Sequence, residues 1–209
     1  LETRRAMINS KELDHVLGDL LKNPKQRGAI AEIPFRHIVT DSRKVGPGDL
    51  FIALRGEHTD GHKYLDDAIR QGASGLLTQI LPNQENPETL VFLVADTLSA
   101  IQQASSRWRR LQRTKVIGIT GSVGKTTVRE VIAQILQKKF TTFQTPSNLN
   151  SEIGLPIAML GLTAQHQWAV LELGPYSQRE MSVLCALAEA DIGVITNVGP
   201  THLERFGTL

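Results

Sequence analysis

The segment GITGSVGKTT, Gly118 to Thr127, gathers the residue types that hold a nucleotide phosphate. Backbone N–H groups turned toward one point, at the N-terminus of a helix, make a ready anion site. Gly121 and Gly124 permit the positive φ and close backbone approach that such a loop needs, with Ser122 and Val123 between them. Lys125 adds a cation for the β and γ phosphates, and the Thr126 hydroxyl, followed by Thr127, is a hard oxygen donor suited to Mg2+. The spelling departs from the common template G-x-x-x-x-G-K-[ST]. That template wants a glycine five residues before Gly124, where Ile119 stands. A tight turn that happens to contain Lys-Thr-Thr is the competing reading of these residues.

In a parallel sheet, ligands collect beyond the carboxyl ends of the strands. Glu172 closes the apolar run WAVLEL, and His202 follows the run DIGVITNV. Both are placed to face the Lys125 side. Glu172 reads as a second oxygen ligand for Mg2+, with a surface carboxylate at a strand end as the alternative. His202 by itself reads as an ordinary loop histidine. His58, Asp60 and His62 suggest a metal cluster at first sight, but Gly61 between them implies a loop rather than a helical histidine pair, and metal is not expected there.

The glycine loop requires a strand before it and a helix after it. KVIGIT, from Lys115, is a short β-branched strand, and TTVREVIAQILQKKF carries Val128, Val131, Ile132, Ile135 and Leu136 at helical spacing. Two further buried-type strands are expected, Trp168 to Leu173 and Asp191 to Val198, with a helix between them from about Arg179 to Glu189. Strands alternating with helices predict a parallel sheet covered on both faces. The earlier part of the chain predicts a helix after Ser10, with Ser10 as its N-cap and Leu13, Val16, Leu17, Leu20 and Leu21 on its apolar face. Strands at Asp49 to Leu54 and Leu90 to Ala95 follow, with a helix at Lys63 to Ala73 ending near Gly72 and another from about Leu98 to Leu111. Leu81 to Thr89 is a polar loop containing proline.

At 209 residues, against a typical domain of about 150, the chain makes one domain or two smaller ones. A hydrophobic content of 41% with 21% charged residues is that of a soluble globular protein. The net charge of +2 does not by itself imply a nucleic-acid partner. The basic cluster Arg107, Arg109, Arg110, Arg113 and Lys115 shares a segment with Ile101, Ala104, Trp108 and Leu111 at helical spacing, so it reads as a solvated helix face. There is no apolar run of eighteen residues and no layout of a signal peptide. Cys185, the single cysteine, fits a reducing compartment and reads as a packed core thiol within LCALA.

Five segments, in order, resemble the Mur ligases. They are Asp41 to Ala73 (DSRKVGPGDLFIALRGEHTDGHKYLDDAIRQGA), GITGSVGKTT, TPSNLNSEIGLP from Thr145, LELG from Leu171 and TNVGPTHLERFGT from Thr196. The resemblance covers residues 41 to 208. It implies an α/β fold in which an N-terminal domain, residues 1–112, binds a UDP-sugar substrate, and residues 113–209 form part of a phosphate-loop, parallel-sheet ATPase domain. Family members carry the short loop T-G-[ST]-x-G-K-T, which accounts for Ile119. Within the family, Asn148-Leu149-Asn150 is most like the type that adds D-alanyl-D-alanine to UDP-N-acetylmuramoyl-tripeptide. Ser151 stands where that type more often has asparagine, and Arg179-Glu180 where it more often has Gly-Glu.

The implied activity is ATP-driven amide formation through an acyl phosphate in peptidoglycan precursor synthesis. By resemblance, Gly121 to Thr127 bind ATP, and Lys125, Glu172 and His202 are catalytic. Thr126, Glu172 and His202 hold Mg2+, while Asp41, Ser42, Arg43, Asn148 and Asn150 contact substrate. The implied setting is a cytoplasmic monomer acting on small molecules, with no nucleic acid and no membrane span. Another carboxylate–amine ligase, of Mur or folylpolyglutamate type, and a non-catalytic nucleotide-binding module are the alternatives. Family members continue well past the position of Leu209, so the resemblance also implies that these residues are an N-terminal portion, inactive alone.

Overall fold

The computed structural model describes residues 7–22, 31–56, 59–146 and 148–200. It divides into two compact units, Leu1–Ala104 and Ser105–Leu209.

In the first unit, helix α1 (Ser10–Leu17) buries Leu13, Val16 and Leu17. Its N-cap is Asn9, one residue before the expected Ser10. The Asn9 side chain accepts from the Glu12 amide at 2.8 Å while the Glu12 carboxylate accepts from the Asn9 amide at 2.9 Å, a reciprocal capping box. Ser10 is instead buried, its hydroxyl donating to the Ala31 carbonyl and accepting from the Ile33 amide. Strands β1 (Ile38–Val39), β2 (Leu50–Ile52), β3 (Gly75–Thr78) and β4 (Leu90–Leu93) pair in that order, all parallel. β2 and β3 are wholly buried, so their sequences show no alternation. Helix α2 (Leu65–Arg70) seats Leu65, Ala68 and Ile69 against Phe51, Ala53 and Leu76. The helix expected from Lys63 to Ala73 begins as a 3-10 turn, Gly61–Tyr64, and the chain reverses at Gly72 (φ 93°).

His62 is buried in that turn. Its Nε2 accepts from the Gln79 amide at 3.1 Å, which places the proton on Nδ1, 2.6 Å from Asp60 Oδ1. Both ring nitrogens are therefore occupied in tying the turn to the end of β3. Hydrogen bonds from the amide and then the ring of His62 hold the Asp60 carboxyl below the usual carboxylate range. His58 lies outside the described residues.

Helix α3 (Thr97–Gln112) contains the boundary between the units. In the second unit follow β5 (Lys115–Thr120), α4 (Lys125–Gln137), β6 (Thr142–Gln144), α5 (Gly154–Met159), β7 (Trp168–Glu172), α6 (Gln178–Ala188) and β8 (Ile192–Ile195). The sheet order is β6-β7-β5-β8, all parallel. β5 is central, with later strands added on both of its sides. That is the topology that opens a crevice at the carboxyl ends of the strands.

Several expectations for this unit change. On α4, Val128, Ile132 and Leu136 face Ile117, Ile119 and Val170, but Val131 and Ile135 are 50% and 65% exposed. The buried arc is completed by Arg129 and Ala133 instead. Cys185 is exposed, not a core thiol. The buried stripe of α6 runs through Leu184, Leu187 and Ala188, and Cys185 lies a helical step of about 100° away from Leu184. β8 was expected as a buried strand, yet Ile192 and Ile195 are exposed because the strand lies at the sheet edge. The arginines of α3 are not simply solvated. Arg109, its side chain 12% exposed, donates to the Glu189 carbonyl and lies 3.5 Å from Asp191, while Arg110 pairs with the Glu189 carboxylate.

Candidate functional site

The carboxyl edge of the second sheet brings three segments together. β5 runs directly into the glycine loop, β7 ends at Glu172, and β8 leads into Thr196 and Asn197. Register fixes their heights: Ile119 pairs with Glu172, and Thr120 with Ile195.

The loop itself is shaped by glycine. Gly121 has φ 134°, and a Cβ there would stand 2.2 Å from Thr196 Oγ1 and 2.9 Å from the Asn197 carbonyl oxygen. Any side chain at this point would push the loop off the neighbouring strand end. Gly124, with φ 85°, is the N-cap of α4 and has no side chain to satisfy the first amides of the helix. The amides of Lys125, Thr126 and Thr127 are thereby left without intrahelical acceptors, at the positive end of the helix dipole. Lys125 folds back, its Nζ donating to the Gly121 carbonyl at 2.6 Å and lying 3.3 Å from the Ser122 carbonyl.

Glu172 is buried and its two carboxylate oxygens are both engaged. Thr126 Oγ1 lies 3.0 Å from Oε2 and 3.3 Å from Oε1, and Asn150 Nδ2 donates to Oε1 at 2.9 Å. Arg129 Nη1 donates to Oε2 at 3.3 Å. The Glu172 amide donates to Thr145 Oγ1, which seats the end of β7 against the loop before α5. Gly174 leaves room for Asn150, since a Cβ there would lie 2.8 Å from its Nδ2. A buried carboxylate ordinarily costs several kcal/mol unless compensated. Here a hydroxyl, an amide and a guanidinium compensate it.

The donor set fits a hydrated Mg2+ next to a phosphate. A hydroxyl and a carboxylate stand side by side as hard oxygen ligands, and the helix-terminal amides lie in the same turn of α4 as the hydroxyl. Thr126 and Glu172 are the described residues able to hold such an ion, and the stretch Gly121 to Thr127 is able to hold a polyphosphate. His202 lies outside the described residues.

The structure also brings in residues to which the sequence assigns no role in the site. Arg129 follows Thr126 by three positions and so sits on the same face of α4, buried with its side chain 4% exposed. Thr145 and Asn197 are loop residues whose partners are distant in sequence. The one signal available was for Arg129: an arginine four residues before Ala133, adjoining the apolar stripe.

The remaining expected site residues are spread more widely. Asn148 adopts a left-handed backbone (φ 73°), a conformation asparagine tolerates. Ser151, the departure from the usual asparagine, accepts from the Gly154 amide at 3.1 Å and so helps to start α5. Arg179-Glu180, the other departure, opens α6: Ser177 accepts from the Glu180 amide, and Glu180 accepts from the Tyr176 amide. In the first unit, Asp41 caps the 3-10 turn Ser42–Lys44, accepting from the Arg43 amide, and from Arg43 Nε at 2.9 Å and Nη2 at 2.8 Å. These bonds, led by the side-chain one, lower the Asp41 carboxyl to about 2. The Arg43 side chain is itself 86% exposed.

Comparison with known proteins agrees with this architecture. Residues 34–119 match the Mur ligase family, catalytic domain, and residues 119–209 match the Mur ligase middle domain. The chain belongs to the Mur ligase family. Within it, the chain is similar to a UDP-N-acetylmuramoyl-tripeptide–D-alanyl-D-alanine ligase of Synechocystis sp., 40% identical over 178 residues. That alignment takes in 85% of this chain and 39% of the Synechocystis enzyme. A crystal structure of MurF from Acinetobacter baumannii matches with a TM-score of 0.83 at 32% identity, over 97% of this chain and 44% of that one. A MurF ligase of Thermotoga maritima in complex with ADP matches with a TM-score of 0.69, also at 32% identity, over 80% of this chain and 38% of that one. The chain thus spans about two fifths of the length of the curated relatives it matches.

Proposed function

We propose that the protein acts as an ATP-dependent, ADP-forming ligase of cytoplasmic peptidoglycan precursor synthesis, adding D-alanyl-D-alanine to UDP-N-acetylmuramoyl-tripeptide through an acyl phosphate. The observation that carries this reading is the pairing of Thr126 with Glu172, 3.0 Å apart, beside Lys125 at the carboxyl edge of the sheet. The ADP bound by the Thermotoga relative and the names of the Synechocystis and Acinetobacter relatives support the nucleotide and the substrate type.

Phosphoryl transfer asks a protein chiefly for positioning and charge. Lys125 Nζ, now on the Gly121 and Ser122 carbonyls, is the cation for a β or γ phosphate oxygen. The helix-terminal amides of Lys125 and Thr126 orient the phosphates. Thr126 and Glu172 would hold Mg2+, which would supply charge neutralisation for the transferred group. Asn150 and Arg129 hold the Glu172 carboxylate in place from either oxygen. His202 is assigned as a ligand that would hold a second metal, whose charge would offset that of the substrate carboxylate. Asp41, Ser42 and Arg43 are assigned to the UDP-sugar, the exposed Arg43 guanidinium supplying the cation and Asp41 fixing its orientation. The protein works as a monomer on small molecules.

Calorimetric titration of the chain with UDP-N-acetylmuramoyl-tripeptide checks the substrate assignment. Saturable binding, weakened about tenfold by Arg43→Ala and absent for UDP-glucose, is the expected result. A folded chain with no affinity for the tripeptide precursor contradicts it.

A further inference from the structure

Val123 is 66% exposed, so burial of its side chain does not hold the glycine loop. What holds the loop is the segment leaving β8. Asn197 Oδ1 accepts from the Val123 amide at 3.0 Å, and Asn197 Nδ2 lies 3.3 Å from the Val123 carbonyl. Only one orientation of the side-chain amide satisfies both groups. Thr196 Oγ1 donates to the same carbonyl at 2.6 Å. Ser122 completes the seam: its amide donates to the Asn197 carbonyl, and its hydroxyl exchanges hydrogen bonds with the Gly199 carbonyl and amide at 3.0 and 2.8 Å.

We infer that Asn197 is a positioning residue for nucleotide binding, clamping the Val123 peptide so that the glycine loop is shaped before phosphate arrives. The inference rests on the proposed nucleotide site. Glycine-containing loops lose more backbone freedom on ordering than other loops, and fixing one residue costs about 1–2 kcal/mol. A loop already fixed by Asn197 does not charge that cost to the ligand, the general benefit of preorganisation. The clamp also selects which amides face the phosphates. The Val123 N–H is turned toward Asn197, which leaves the amides at the start of α4 to meet the ligand.

Asn197 touches neither reacting atoms nor metal in this account, and it acts through the loop. Its removal is therefore read in ligand affinity and in loop exchange, with the fold monitored separately. In the chain titrated with MgADP, Asn197→Ala is expected to weaken binding about tenfold. The same variant accelerates hydrogen exchange of the Val123 amide while its circular dichroism stays that of the wild type. Asn197→Gln, which keeps the amide but displaces it by one methylene, is expected to do the same in both measurements and serves if the alanine variant fails to fold. A variant that melts earlier yet binds MgADP within twofold of wild type overturns the proposal and leaves the nucleotide site standing. A folded wild type without affinity for MgADP overturns the nucleotide site, and the clamp with it.

Discussion

Glu172 meets Thr126 and Arg129 of α4 and Asn150 of the loop before α5, and each contact answers a different need. Thr126 offers the second oxygen of the proposed metal site, Asn150 fixes the carboxylate plane, and Arg129 supplies the charge that makes burial tolerable. Arg129 is the least satisfied of these, its Nε finding no partner among the described residues. Lys125, Thr126 and Glu172 were legible in the sequence because a glycine loop and a strand end mark them. Arg129, Thr145 and Asn197 were not, since each acquires its role from a residue more than twenty positions away. Thr126→Ala removes the proposed oxygen ligand without burying an unpaired charge. It should leave the melting temperature within a few degrees and raise the Mg2+ concentration needed for half-maximal ADP binding by about tenfold. An unchanged Mg2+ requirement would show that Thr126 is not a ligand.

At the scale of elements, legibility followed periodicity. α1, α3 and α4 show an apolar stripe, β5 shows a short β-branched run and β7 a short apolar one, so all were anticipated. Two short, uniformly buried elements, β3 and α5, were not. β3 is four buried residues, and α5 is six, apolar on every side with Pro156 in its first turn, so neither carries a period to read. The stripe of α4 was drawn too wide, because a buried arginine and an alanine took the arc that Val131 and Ile135 were expected to fill. The polar loop after β3 is held by Asp66 of α2, which accepts from the Asn83 amide and side chain and from the Gln84 amide. Those bonds, the Asn83 side chain foremost, keep the Asp66 carboxyl below its ordinary range. A carboxylate with a lowered folded pKa contributes stability that is complete above its unfolded value of about 3.9 and lost as pH falls through the folded value. Protection of the Asn83 and Gln84 amides should therefore hold from pH 7 to about pH 4 and fade below it. Asp66→Asn should weaken the protection and flatten its pH dependence. Protection that persists unchanged at low pH would contradict the role given to Asp66.

At the scale of the whole molecule, the chain joins a unit built on four consecutive parallel strands to a unit whose central strand delivers the glycine loop. Membership of the Mur ligase family was legible from motif order, because the motifs fall on the loops at strand ends, where the chemistry of such sheets resides. The sheet order β6-β7-β5-β8 was not, since nothing local in a strand records which neighbour it takes. Among the described residues no helix is long and apolar enough to cross a membrane. The central claim is that the loop Gly121 to Thr127 binds a magnesium nucleotide through Lys125. Isothermal titration of the chain with MgADP, beside Lys125→Ala, tests it most directly. Stoichiometric binding that is lost in the variant, with the fold intact, is the predicted result. Binding of equal strength by the wild type and the variant, or none by a folded wild type, would contradict it.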